Sequence, residues 1–134
     1  MERGPDKEQN QAADEFIYRD KRYKFGIDIT LAVIGGKWKA SIIWHLAQGT
    51  MRFSDLQRVF SNITRKMLVQ QLRELETDGL VHREVFRQVP PKVEYSLTEQ
   101  GKSIYPILDK MCAWGRGHSI ASADCHPGEP SQIE

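Results

Sequence analysis

The sequence has no long hydrophobic run, and this argues against a membrane-spanning helix. Its longest apolar stretches are a handful of residues, whereas a helix that crosses a bilayer needs about 20. The first ten residues are charged and lack the apolar core of a signal peptide. We therefore expect a cytoplasmic protein without a membrane partner.

Cysteine is also scarce, and its placement is unlike that of a metal site. The chain has two cysteines, Cys112 and Cys125, and no CxxC pair of the kind that binds zinc. We interpret them as one cysteine packed in a helix and one in a tail. A redox or metal-binding role is the weaker alternative, and no metal site is predicted.

The signatures of catalysis and of nucleotide cofactors are missing as well. No GxGxxG loop follows a strand, and no phosphate-binding lysine motif is present. The four histidines lack a nucleophile or carboxylate at the spacing of a catalytic motif: His45, His82, His118 and His126. We predict neither enzyme activity nor a cofactor.

What the chain does have is a basic middle between acidic ends. The overall net charge is only +1, but residues 21–96 hold thirteen Lys and Arg against seven Asp and Glu, a net charge of +6. The residues before this segment carry a net charge of −3 and those after it −2. Such a segment indicates a surface for a polyanion, although a solvated basic face would give the same count.

The chain length of 134 residues fits one domain, and its 40% hydrophobic residues are typical of a folded protein. The composition of residues 1–22 predicts a polar tail that contains a short dimerisation helix over 12–18. The folded body follows over 23–98, then a C-terminal dimerisation helix over 99–118 and a disordered tail over 119–134.

Helical periodicity dominates the first half of the body. Apolar residues at helical spacing predict one helix ending at Gly35-Gly36 and a second from Trp38 to Gly49. Ser54 and Gln57 form a capping box that begins a third helix, over 54–60. After a tight turn at 61–63, Thr64 caps a longer helix over 64–78.

A hairpin and a last helix complete the body. Residues 80–87 are β-prone, residues 93–97 alternate apolar with polar, and Pro90-Pro91 marks the tip between them. Thr98 then caps a long helix that Pro106 should bend.

This order of elements predicts a mainly α protein with a β-hairpin wing, a winged helix-turn-helix. In that motif the second helix of the pair enters the major groove of DNA, and here it is the helix over 64–78. With its leucines turned to the core, its outward residues near the N-terminal end are Thr64, Arg65, Lys66, Val69, Gln70 and Arg73.

The outward residues suit base readout. Arg65 and Arg73 could bind guanine bidentately, Gln70 could read adenine, and Val69 offers a surface for the thymine methyl group. The helix starts basic and ends acidic, the reverse of what its dipole favours, and an anionic partner at its N-terminal end would explain that inversion. A merely exposed helix is the weaker alternative.

Further cations surround the hairpin tip and the first helix of the pair. We expect the wing, 83–95, to contact the DNA backbone or minor groove, although its charges could instead serve solubility. The expected backbone contacts are Arg52, Ser54, Arg87, Lys92 and Lys37, with Arg83 beside the tip and Lys39 as a further candidate.

Five motifs, in order and at matching spacing, resemble the HxlR family of winged-helix transcription regulators. They are IGGKW at 34–38, RFSDL at 52–56, TRKML at 64–68, LRELETDGL at 72–80 and VPPKVEYSLTEQG at 89–101. The resemblance covers about residues 25–115 and implies a homodimeric, sequence-specific DNA-binding regulator related in fold to MarR-type regulators. Many members carry a cysteine where this chain has Phe25, so redox sensing through that position is not expected.

The ends of the body hold more apolar residues than a small core uses. We expect them to form an isologous dimer interface, so that a homodimer reads a palindromic operator. The expected interface residues are Phe16, Ile17, Phe25, Ile104, Leu108, Met111 and Trp114. The alternative is that the C-terminal stripe packs on its own core.

Two further questions stay open at the level of sequence. A winged helix can also be a protein-interaction module that does not bind DNA. A small-molecule effector is a second open point, since aromatic residues near the dimer crevice could line a pocket or belong to the core: Trp38, Trp44, Tyr105 and Trp114.

Overall fold

The structure, a computed structural model, describes residues 15–119. Its contacts divide the chain into two compact units, one ending at Gly35 and the other beginning at Gly36. The second unit begins after the first helix, whereas the sequence predicted a folded body that begins at residue 23. None of the helices within residues 15–119 combines the length and the apolar character that a membrane span requires.

The first unit begins with a hairpin instead of the predicted helix. Strands β1 (Phe16–Tyr18) and β2 (Lys21–Tyr23) pair antiparallel, with Phe16 opposite Tyr23. Arg19 and Asp20 take positive φ angles, the conformation that a tight two-residue hairpin turn requires. The predicted helix over 12–18 is therefore wrong at 16–18, and residues 12–14 lie outside the described residues. Helix α1 (Gly26–Ile34) follows and ends before the glycine pair, as predicted.

The second unit is built on three helices around an aliphatic core. These are α2 (Lys39–Leu46), α3 (Phe53–Val59) and α4 (Arg65–Thr77). Their most deeply buried side chains are Ile42, Ile43, Leu56, Leu68, Leu72 and Leu75. Because α3 is short and α4 follows after one tight turn, the two form the helix-turn-helix pair that the sequence predicted.

The two helices of the pair begin differently. Thr64 caps α4 as predicted, since its hydroxyl oxygen accepts a hydrogen bond from the backbone N–H of Met67 at 3.0 Å. The capping box predicted at Ser54 is wrong, because α3 begins at Phe53. The Asp55 carboxylate instead accepts the backbone N–H of Arg52 at 3.0 Å, which leaves Ser54 exposed within the first turn.

A three-stranded antiparallel sheet lies beside these helices. Strands β4 (Val81–Phe86) and β5 (Lys92–Leu97) form the predicted hairpin, with Arg83 opposite Tyr95. Strand β3 (Met51–Arg52) pairs with the other edge of β5, so β5 is central. The sequence did not predict β3, since two residues are too few to show a periodicity.

The predicted long C-terminal helix is two helices, α5 (Glu99–Ser103) and α6 (Tyr105–Gly117). Pro106 lies in the first turn of α6, where its missing N–H costs no helical hydrogen bond, so the chain breaks before the proline instead of bending at it. Thr98 caps α5 as predicted, with its hydroxyl oxygen accepting the N–H of Gly101 at 3.0 Å.

Helix α6 divides its apolar stripe between core and solvent. Leu108 is only 3% exposed, so its side chain packs in its own unit, where α6 contacts α2. Its assignment to a dimer interface is therefore wrong, while Met111 and Trp114 are 51% and 67% exposed. Cys112 is half-buried on the same helix. Cys125 and residues 120–134 of the predicted tail over 119–134 lie outside the described residues.

Candidate nucleic-acid interface

Helix α4 presents one polar face to solvent because its three leucines, Leu68, Leu72 and Leu75, hold the opposite face in the core. Five of the six side chains of this helix that were predicted to contact DNA are exposed: Thr64, Arg65, Lys66, Gln70 and Arg73. The sixth, Val69, is half-buried, so only part of its side chain can contact a base. The helix has no acidic residue in its first turn and no basic residue in its last turn.

A cleft of about 360 Å³ lies between α4 and the sheet. Three arginines line it, Arg65 and Arg73 from α4 and Arg83 from β4, against a single carboxylate, Glu76. Arg83 therefore faces α4 from the middle of its strand and does not surround the hairpin tip. Apolar side chains complete the lining: Phe53, Val69, Leu72, Val93 and Tyr95.

Arg65 is held against the first helix of the pair. Its guanidinium carbon lies 4.7 Å from the ring centroid of Phe53, a cation–π contact that restricts the side chain without using any of its hydrogen-bond donors. The guanidinium group therefore keeps all its donors for a partner. Sequence reasoning missed Phe53, whose position next to Arg65 depends on how α3 packs against α4.

The wing supplies one projecting cation and one that lies against its own strand. Arg87 is exposed in the loop that joins β4 to β5. Lys92 instead places its ammonium group 4.4 Å from the ring centroid of Phe86 and 3.4 Å from the carboxylate of Glu94. A DNA phosphate would have to compete with Glu94 for Lys92, so Arg87 is the stronger candidate for a backbone contact.

The flanking cations also differ in availability. Arg52 and Lys37 are exposed, and the ammonium group of Lys37 lies 5.0 Å from the ring centroid of Trp38. The side chain of Lys39 is only 12% exposed and is paired with Glu74 at 2.6 Å. The expectation that Lys39 contacts a phosphate is therefore not supported.

Glu74 joins Lys39 to Gln70. One carboxylate oxygen accepts the Lys39 ammonium, and the other accepts a hydrogen bond from the Gln70 side-chain amide at 2.8 Å. The Gln70 hydrogen bond, and next to it Lys39, lower the pKa of Glu74, so its carboxylate is ionised at neutral pH. The spacing of Gln70 and Glu74 by four residues was visible in the sequence, but the contact with Lys39 depends on the packing of α2 against α4.

The histidines that the structure describes have structural partners. His45 packs edge-on against Trp44 and Phe60 and hydrogen-bonds the carbonyl of Ser41 through Nδ1 at 2.8 Å. Burial lowers its pKa, against the opposing effect of that carbonyl, so the ring is neutral at pH 7. Among residues 15–119, no group of three or more His, Cys, Asp and Glu side chains could hold a metal ion.

Residues 33–122 match the model of a family described as HxlR-like helix-turn-helix. An uncharacterized HTH-type transcriptional regulator of Bacillus subtilis, YtcD, is 57% identical over 98 residues, which are 73% of this chain and 78% of that protein. The oxidised redox regulator HypR superposes with a TM-score of 0.69 at 50% identity, over 72% of this chain and all of that one. A MarR-family regulator from Enterococcus faecalis superposes with a TM-score of 0.64 at 43% identity, over 75% and 91% of the two chains.

Proposed function

Since this chain belongs to the HxlR-like helix-turn-helix family of transcriptional regulators, we propose that it binds a palindromic double-stranded operator as a homodimer, with α4 in the major groove. The observation that carries the proposal is the polar face of α4. Arg65, Lys66, Gln70 and Arg73 are all exposed along one helix, and three buried leucines fix the direction of that face. A helix of this diameter fits the major groove, which is about 12 Å wide.

The side chains divide between positioning and readout. Thr64 can donate its hydroxyl hydrogen to a phosphate while its oxygen caps α4, and Lys66 can add a phosphate contact. Arg65 and Arg73 can each present two parallel donors to the O6 and N7 atoms of guanine. Gln70 has both a donor and an acceptor and so matches adenine. Val69 is restricted to a partial contact with a thymine methyl group.

The wing and the flanking residues would position the duplex. Arg87 projects from the hairpin loop and can reach the backbone or the minor groove. Arg52 and Ser54 at the start of α3, and Lys37 before α2, are exposed and can contact phosphates. These contacts carry no sequence information, so they would strengthen binding to every duplex alike. Lys92 would contribute only after leaving Glu94.

The dimer proposal is supported by large apolar side chains exposed in both units. Phe16, Ile17 and Phe25 are 43%, 68% and 63% exposed in the first unit, and Met111 and Trp114 are exposed in the second. Ile104 is half-buried and can contribute only its outer surface. Large apolar side chains that are exposed to water are typical of an interaction surface, and an isologous dimer would cover the same residues on each copy.

Binding to a random-sequence duplex separates this proposal from the protein-interaction alternative. We expect a fluorescence-anisotropy titration to show nonspecific binding that tightens steeply as salt is lowered from about 200 to 50 mM, because bound cations displace the counterions of DNA. A module that recognises only protein would leave the anisotropy unchanged at the lowest salt. That result would contradict the proposal.

A further inference from the structure

The side-chain amide of Gln70 is held in one orientation by its neighbours. We propose that Lys39 and Glu74 act as positioning residues that make Gln70 specific for adenine at one operator position. The inference rests on the proposed function, since it assumes that α4 contacts base edges. It adds two residues that touch no base but determine which base is accepted.

The three side chains form a continuous chain of hydrogen bonds from α2 to the outer face of α4. The Lys39 ammonium donates to one oxygen of the Glu74 carboxylate at 2.6 Å, and the Gln70 amide nitrogen donates to the other at 2.8 Å. The Lys39 side chain is only 12% exposed, so its surroundings hold it in place. The Glu74 carboxylate is therefore bound by Lys39 on one side and by Gln70 on the other. Gln70 itself is exposed and free to meet a ligand.

The chemistry of a carboxylate determines which end of the amide faces Glu74. An ionised carboxylate only accepts hydrogen bonds, so the NH₂ group of Gln70 must point toward it and the amide oxygen must point away. Rotation of the amide by half a turn would place its oxygen against the carboxylate oxygens, which repel it. While Lys39 stabilises the carboxylate, the amide therefore has one orientation.

That orientation leaves one donor and one acceptor for DNA. The second N–H and the amide oxygen of Gln70 match the N7 acceptor and the N6 amino donor of adenine. Guanine offers two acceptors, N7 and O6, and would need both N–H groups of the amide. Because Glu74 already binds one of them, guanine leaves the amide oxygen facing O6. A Gln70 without Glu74 could turn both hydrogens to guanine and would discriminate less.

The experiment compares Kd values for operators that differ only in the base read by Gln70. Duplex selection with the unmodified protein and with Gln70→Ala identifies this position as the one where the variant loses its preference. There we expect the unmodified protein to favour adenine over guanine by about 5- to 150-fold, the range of a good bidentate contact. Glu74→Gln should reduce this ratio at least about fivefold, because a neutral amide can both donate and accept.

Two further variants separate orientation from charge. Glu76→Gln removes the same charge from the same helix, so both glutamine variants should bind random duplex more tightly, but Glu76→Gln should keep the preference for adenine. Glu74→Asp keeps the charge and withdraws the carboxylate by one methylene group, so the preference should fall while affinity for random duplex stays the same. Thermal unfolding of each variant checks that it is folded, and Glu74→Asp serves as the test if Glu74→Gln is not.

The outcomes distinguish the inference from the proposed function. If Glu74→Gln and Glu74→Asp keep the preference that Gln70→Ala loses, Gln70 reads its base unaided and the inference is wrong while the function stands. The inference is also wrong if Gln70→Ala changes no base preference in an operator that the protein binds specifically. If the unmodified protein enriches no sequence, the proposed function itself fails.

Discussion

Replacing Arg65, Lys66 and Arg73 together with alanine is expected to weaken operator binding by about a hundredfold or more. Each side chain is exposed on the outer face of α4, and each of the two arginines that is proposed to contact a base edge contributes about 1–3 kcal/mol, to which the phosphate contact of Lys66 adds. The plot of log affinity against log salt concentration should also become less steep by about 0.9, since Lys66 is the one of the three side chains that is proposed to contact a phosphate. Anisotropy titrations over a range of salt concentrations measure both effects.

Stability should be little affected by these three changes, because the side chains are exposed and alanine is the best helix former. A matched control replaces three exposed cations elsewhere with alanine: Lys24, Lys102 and Lys110. This control removes the same charge from residues outside the predicted DNA interface and should change operator affinity far less. Equal losses in the two triple variants would show that only net charge matters and would contradict a specific DNA-binding face on α4.

The second large effect is expected from Gly101→Ala, which should destabilise the fold by about 3 kcal/mol or more. A Cβ atom at Gly101 would lie 2.2 Å from the carbonyl oxygen of Leu80 and 3.2 Å from a methyl carbon of Leu97. The Leu80 oxygen cannot simply move away, because it accepts the backbone N–H of Thr98 at 3.0 Å. Helix α5 would have to separate from the sheet, and urea unfolding would measure the lost free energy.

Gly115→Ala provides the control for that prediction. A Cβ atom at Gly115 meets nothing within 4 Å, and the residue lies inside α6. Because alanine favours the helix over glycine, this variant should be more stable by about 0.5–1 kcal/mol. Two glycine-to-alanine changes in neighbouring helices are thus expected to have opposite signs. If Gly101→Ala unfolds at the same urea concentration as the unmodified protein, the close approach of α5 to Leu80 is refuted.

Helix α4 is the element that local sequence determines most completely. Thr64 provides a cap at one end, Gly79 takes a positive φ of 81° beyond the other, and the leucines between them share one face. Each of these signals depends only on residues within the helix or next to it. The outward face could therefore be predicted without knowing how the helix packs, and its exposed cations follow directly.

The features that sequence reasoning missed depend on contacts distant in the chain. Residues 16–18 form a strand because β2 pairs with them, and β3 exists because β5 provides its hydrogen-bond partners. Lys39 is withdrawn from the surface by Glu74, on another helix. Leu108 carries the same apolar signal as Trp114, and only the packing of α6 decides that the first is buried and the second exposed.

Selection of bound duplexes from a random pool, followed by sequencing, tests most directly that two copies of α4 read one face of a duplex. We expect an enriched inverted repeat whose half-sites lie about 10–10.5 base pairs apart, or a multiple of that distance, because two-fold related helices meet the major groove one turn apart. Enrichment of a single unrepeated site, or of no sequence at all, would contradict it.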